Sequence, residues 1–250
     1  MPKSTVQISS KAKSITRADQ DQLAFESHQK AAKAYAEGFY KDLVVPFLGA
    51  TADNNIRQDT TLEKLGKLKP VFDRGPAGTM TAGNSTPLTD GAAAVLLASE
   101  DWAKAHGLPI QAWLRYGKVA AVDFVKKEGL LLAPAYAVSA MLSDAGLGLQ
   151  DFDFYEIHEA FAAQTLATLK AWESPEFCRD RLGRNQPLGK IDRSKMNTKG
   201  GSIAIGHPFA ATGARIVGAL AKMLEQRGSG RGLISICTAG GMGVTAILER

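Results

Sequence analysis

Two cysteines in 250 residues, Cys178 and Cys237, are too few for a disulfide framework. Their scarcity fits a reducing compartment in which thiols stay free for chemistry. No stretch is long and apolar enough to cross a bilayer as a helix. A dominant charge is missing too. Thirty basic against twenty-five acidic residues leave +5, spread along the chain. That excess could help hold an anionic ligand, but it falls short of the basic stripe a nucleic-acid binder needs. There is no internal repeat, no low-complexity tract and no His/Cys/Asp/Glu group at metal-ligand spacing. These absences predict a soluble intracellular chain with no transmembrane segment, no nucleic-acid partner and no metal. The expected place is the cytoplasm. A mitochondrial one stays open because MPKSTVQISSKAKSITR is basic and free of acids until Asp19. That opening lacks an apolar core and has little arginine, so a polar N-terminus is the simpler reading.

What is present is 45% apolar residues, enough for one large core or two small domains. Alanines and aromatics recur at helical spacing from Ile15 to about Tyr40, with Ala24, Phe25, His28, Ala32 and Tyr35 near one face. Prolines and glycines break residues 41–83 into long excursions. The all-apolar AAAVLLAS, residues 92–99, suits a strand buried on both faces, and a helical EDWAKAHG follows. After Pro109 the text alternates: strand-like IQAWLRYGKVAAV, helix-like PAYAVSAMLSDAG, strand-like FDFYEI, helix-like AFAAQTLATLKAW, and a polar loop to about Asn197. The helix ARIVGALAKMLEQRG follows, with Ile216, Val217, Leu220 and Leu224 as its stripe, and then LISIC and VTAILER around a glycine turn. The alternation predicts a layered α/β domain with a mostly parallel sheet over roughly residues 108–250.

Two glycine-rich turns carry the chemistry. One is Gly206-His207-Pro208 in GGSIAIGHPFAATGAR, opening a helix, and the other is Cys237 in GLISICTAGGMG, closing a strand. Imidazole moves protons near neutral pH, and a thiol is tuned to acid or nucleophile by its surroundings. Glycines after Cys237 free the backbone so that N–H groups can converge on an oxyanion. His158 follows the strand FYEI and precedes a helix, the usual place for site residues in an α/β domain. Glu159 beside it reads as a helix cap, Phe161 equally as core or ligand contact, and Asn84-Ser85-Thr86 as a turn of small polar residues. His28 and His106 receive no role.

GHPFAATGAR, CTAGGMG, EIHEAFAAQ and TAGNSTPLTDGAAAVLLAS together resemble the four C-terminal signatures of the thiolases, in order. Thiolases cleave 3-ketoacyl-CoA with CoA or run the condensation in reverse. Many carry Asn where this chain has His158, and Gly where it has Ala210 and Ala239. The His-Glu-Ala-Phe form resembles the thiolase subunit of fatty-acid oxidation complexes. The resemblance implies a thiolase-like α/β/α fold divided as 1–83 (remnant of the loop domain), 84–107 (last strand and helix of the first half) and 108–250 (the C-terminal domain).

It also implies site roles. His207 would activate a nucleophilic thiol and then hydrogen-bond the thioester oxygen. Cys237 would protonate the acetyl-CoA carbanion, its thiol near the usual value of about 8.5. His158 would hold a water or the thioester oxygen. The backbone of Ala239 and Gly240 would serve as oxyanion donors, while Asn84, Ser85, Thr86 and Phe161 would line the pantetheine path. CoA is expected as substrate with no bound cofactor. Neither cysteine matches the nucleophile's motif, so the expectation is that the nucleophile-bearing half lies outside this chain. Partners would be acyl-CoA and CoA, another copy or a separate N-terminal half, and a hydratase/dehydrogenase subunit. Two other readings stay open: a noncatalytic CoA-binding or docking partner, and a hydrolase with Cys237 as nucleophile and His207 as base.

Overall fold

A capping box starts the first helix. The Thr16 hydroxyl accepts from the Asp19 N–H, while the Asp19 carboxylate accepts from the Thr16 N–H. The computed structural model describes residues 15–126 and 128–250; the expectation about the opening peptide therefore lies largely outside the described residues. Helix α1 (Arg17–Ala36) buries Leu23, Ala24, Ser27, His28, Ala31 and Ala34. This stripe is shifted from the expected one, leaving Phe25, Ala32 and Tyr35 only half-buried. Its small residues let other segments approach closely. A Cβ on Gly200 would come within 2.5 Å of Ala31.

After the short α2 (Leu62–Gly66) and α3 (Glu100–Ala105), the layered region begins. It contains β1 (Trp113–Ala121), α4 (Ala133–Ala145), β2 (Phe154–Ile157), α5 (Ala162–Glu173) and α6 (Pro175–Leu182). It ends with α7 (Ser202–Ile205), α8 (Thr212–Arg227), β3 (Arg231–Thr238) and β4 (Met242–Glu249). The sheet order is β1-β4-β3-β2. Side chains alternate across it, so the core divides. Leu233, Tyr155, Ile157 and Ile247 join α4 and α5 on one face. Ile234 and Leu248 join Ile216, Leu220 and Leu224 of α8 on the other.

The layered α/β class stands, with three corrections of detail. The sheet is mixed rather than mostly parallel: β2 and β3 run parallel, whereas β1–β4 and β3–β4 are antiparallel. The three residues between β3 and β4 are too few for a parallel crossover, so the last two strands form a hairpin. Residues 92–99 form no strand. They carry no regular structure, with Leu96 69% and Leu97 64% exposed, because no neighbouring strand among the described residues takes up their backbone. The stretch expected as a polar loop before Asn197 contains α6. Its Ser174 cap accepts from the Phe177 N–H, Pro175 sits at its first turn and Gly183 at its end.

Candidate active site

Strand β2 is an edge, and a loop closes it. The Asn197 N–H donates to Tyr155 O at 2.8 Å, and its side-chain amide both accepts from the Ile157 N–H and donates to Ile157 O. The same amide donates to Glu159 Oε1 at 2.6 Å. The chain leaving β2 is therefore held on both sides at His158, whose own N–H donates to Ser235 O of β3 at 2.9 Å.

Glu159 is buried but does not cap α5, whose N-cap is Phe161. Its carboxylate instead accepts from Ser27 Oγ at 2.7 Å and from the Ile203 N–H in the first turn of α7 at 3.4 Å. Burial raises its pKa against those bonds. The glycine pair before α7 makes room: a Cβ on Gly201 would fall 2.1 Å from the Glu159 carboxylate. Glu159 thus ties α1, α7 and the end of β2 into one frame.

His158 and His207 meet within that frame, ring centroids 4.2 Å apart. His158 is 1% exposed and His207 half-buried. His158 Nδ1 lies 2.8 Å from Ser202 Oγ, and Arg215 donates to the same oxygen at 2.9 Å. His158 Nε2 is buried with no hydrogen-bond partner among the described residues. His207 does not itself open a helix. Helix α8 starts five residues later at Thr212, whose Oγ1 lies 2.6 Å from His207 Nδ1. Burial, followed by the positive field of neighbours that include Arg215, lowers the pKa of both rings, His158 well below its ordinary value. Two neutral imidazoles beside an unpaired buried nitrogen form a site able to bind an oxygen and move a proton.

Cys237 sits near the C-terminal ends of parallel β2 and β3, two residues beyond the Ser235 that holds His158. It pairs with Gly243, where a Cβ would strike Ala133 and Pro134 at the start of α4. Among the described residues no hydrogen bond joins its thiol to either imidazole. Burial pushes this thiol up to about 12, far from the modest shift expected, so it rests protonated at neutral pH. Ala239 and Gly240 are exposed on the turn that follows, Gly240 with φ +81°.

Cys178 is buried, its Sγ 3.5 Å from Trp172 O and 3.6 Å from Ala171 O, so packing accounts for it. Asn84 is fully buried, and its amide is spent inside the protein: Oδ1 accepts from the Thr81 N–H, and Nδ2 donates to Asp21 and Thr79 O. Thr86 donates twice to Ala160 O, and Ser85 forms a bridge with Phe161. The Asn84–Thr86 turn thus braces the segment after His158. Phe161 packs edge-on against Phe72, ring centroids 5.5 Å apart. His28 accepts from the Arg57 N–H, and His106 stacks on Trp102. Sequence reasoning missed Ser27, Asn197, Ser202, Thr212 and Arg215. Their signal was slight: Ser27 is one polar residue on the first helix, and the other four lie inside or after the NTKGGS turn.

Comparison with known proteins gives one answer. The family model described as "Thiolase, C-terminal domain" matches residues 109–250, and "Thiolase, N-terminal domain" matches residues 5–101. A 3-ketoacyl-CoA thiolase of Yersinia pestis is 50% identical over 98% of this chain, which spans 57% of that relative's length. The crystal structure of the Bacillus anthracis acetyl-CoA acetyltransferase superposes with a TM-score of 0.82 at 36% identity, over 98% of this chain and 59% of that one. Human mitochondrial 3-ketoacyl-CoA thiolase in complex with CoA gives 0.81 at 34% identity, over 98% and 57%.

Proposed function

Because the chain belongs to the thiolase family, we propose that it supplies the proton-handling half of a thiolase site that cleaves 3-ketoacyl-CoA with CoA, giving acetyl-CoA and a shortened acyl-CoA. The observation that carries this reading is the contact of buried His158 with half-buried His207, in which His158 Nε2 finds no hydrogen-bond partner among the described residues. The acyl-accepting thiol comes from outside these 250 residues. Cys178 is locked in the core, and Cys237 is held protonated, which suits an acid rather than a nucleophile.

His207 then acts as base. The arrangement that uses both contacts of Thr212 has Nδ1–H donating to Oγ1 and the hydroxyl donating to Pro208 O, leaving Nε2 free to accept the nucleophile's proton. That thiolate attacks the 3-keto carbon, and the bond to the acetyl-CoA carbon breaks. Cys237 protonates the departing carbanion. CoA then takes the acyl group, its thiol proton returning to Cys237. His158 Nε2 and the backbone of Ala239 and Gly240 bind the oxygens on which charge develops. The division at residues 83 and 107, the pantetheine path past Ser85, Thr86 and Phe161, and association with a hydratase/dehydrogenase subunit belong to the same proposal.

The test combines the purified chain with a separately expressed thiolase N-terminal half and follows 3-ketoacyl-CoA cleavage by CoA. Turnover is expected only in the mixture, falling about 10²–10⁴-fold in His207→Ala. Cleavage by the chain alone, or turnover indifferent to His207, would overturn the reading. The exposed run at residues 94–97 favours a second one, a noncatalytic docking partner. It borders an apolar groove of about 650 Å³ lined also by Leu108, Val217 and Leu248, which includes none of the candidate site residues. A mixture that associates but stays inactive would support this alternative.

A further inference from the structure

We infer that Ser202 and Arg215 are positioning residues that lock His158 in the tautomer with its proton on Nε2, so that its unpaired nitrogen meets substrate as a hydrogen-bond donor. The inference deepens the reading above, since it assigns polarity to a group placed there.

Arg215 carries only donors, so its 2.9 Å contact delivers an N–H to Ser202 Oγ. The hydroxyl has one hydrogen of its own. If His158 Nδ1 were protonated and donated to Oγ across their 2.8 Å contact, that hydrogen would have to go elsewhere. Ser202 is fully buried, and among the described residues its hydroxyl has no other acceptor. The hydroxyl therefore donates to Nδ1, Nδ1 carries no proton, and the neutral ring carries it on Nε2. Burial first, and then the neighbouring His207 ring and the Arg215 guanidinium, disfavour a charge on the ring and keep it neutral. The outcome is a fixed, buried N–H with no acceptor among the described residues.

The two adjacent histidines thereby acquire opposite characters. On His207, Thr212 has Pro208 O as a second acceptor, and the free nitrogen accepts. On His158, Arg215 occupies Ser202 from behind, and the free nitrogen donates. The same pairing of a hydroxyl with Nδ1 runs in opposite directions in the two rings, Nδ1–H donating to Thr212 in one and Ser202 donating to Nδ1 in the other, so one ring is a base and the other an oxygen binder, and the guanidinium makes the difference.

Long-range proton–nitrogen NMR of the chain labelled at its histidine nitrogens reads the tautomers directly and needs no activity. There are four histidines to assign. His28 is an internal standard, because the Arg57 N–H donates to its Nδ1 and so its proton is on Nε2. His158 should show the same pattern as His28. Ser202→Ala and Arg215→Met should move His158 toward a mixture of tautomers while His28 is unchanged, and Ser202→Thr should restore the single form. A wild-type His158 protonated on Nδ1 would overturn the inference without any variant. So would an unaltered His158 pattern in both Ser202→Ala and Arg215→Met. An Nε2-protonated His158 in a chain that never supports cleavage would sink the thiolase reading while leaving this one in place.

Discussion

LISIC in β3 and AAAVLLAS at residues 92–99 are apolar runs of similar character that reach opposite ends. In β3, Leu233 is fully buried between Tyr155 on one neighbouring strand and Ile247 on the other. In the earlier run, Leu96 and Leu97 stand mostly in the open. Hydrophobic composition permits a buried strand but does not make one, because the backbone needs partners before apolar side chains can be taken out of water. The candidate site follows the same division. Its histidines come from the partnered region, while residues 84–91 brace that region, at Thr86 on Ala160 and at Gly91 against Pro208.

Paired truncations break or uphold that contrast most sharply. Leu233→Ala should cost about 2–5 kcal/mol in denaturant unfolding, and Leu96→Ala no more than about 0.5 kcal/mol in either direction. A large loss from Leu96→Ala would mean that the run is covered in solution, in keeping with docking. Addition of an N-terminal half should raise its cost if that half is the cover.

The next effect lies in burying charge. Glu156 on β2 is wholly buried, and burial raises it to about 8, with Arg215 opposing and Glu159 adding to the rise. A folded-state pKa above the unfolded value gives stability that is complete below about 4.5 and is lost as pH rises through about 8. Glu156→Gln should therefore gain on the wild type steadily over that range, by on the order of a few kcal/mol at the top. His28 on α1 runs the other way. Burial lowers it to about 4, so stability is lost as pH falls from about 6.5 toward 4, and His28→Gln should flatten that limb. Melting temperatures of the two variants against wild type, taken across pH 4–9, check both signs. A pH-independent gap in either would show that its group titrates alike in both states.

The legibility of the chain in its sequence follows the same line. α1, α4, α5, α8 and the final hairpin were readable because their periodicity is set by burial against neighbours inside this chain. α6 was equally marked, by Ser174, Pro175 and Gly183, but its polar surface hid the caps. Sheet direction was legible only at that hairpin, whose short turn excludes a parallel crossover; elsewhere a buried strand reads alike in parallel and antiparallel pairing. His207, His158 and Cys237 stood out by residue type, and the structure joins the two rings. Ser202, Thr212 and Arg215 did not stand out. Their importance lies in which atom each donates to, a property of three-dimensional closure that spacing does not encode. Asn84 shows the reverse: a conspicuous turn residue whose amide proves to be internal scaffolding.

The smallest effect concerns the turn where the two regions touch. Gly206, with φ +113°, packs so that a Cβ would come within 3.0 Å of Thr89 and Asn55. Four residues on, Ala210 holds φ +68° without being glycine. An L-residue in that left-handed region costs about 1–2 kcal/mol. Replacing it by glycine removes the strain but loosens the unfolded chain, returning about 0.4–1 kcal/mol. Ala210→Gly should therefore stabilise by roughly 0.5–1 kcal/mol, seen as a higher denaturation midpoint at unchanged slope. The tautomers of His158 and His207 should not change, because neither Ser202 nor Thr212 moves. A destabilised variant would mean that residue 210 does not occupy the left-handed region, and that the contact between the partnered sheet and residues 84–91 is built differently at this corner.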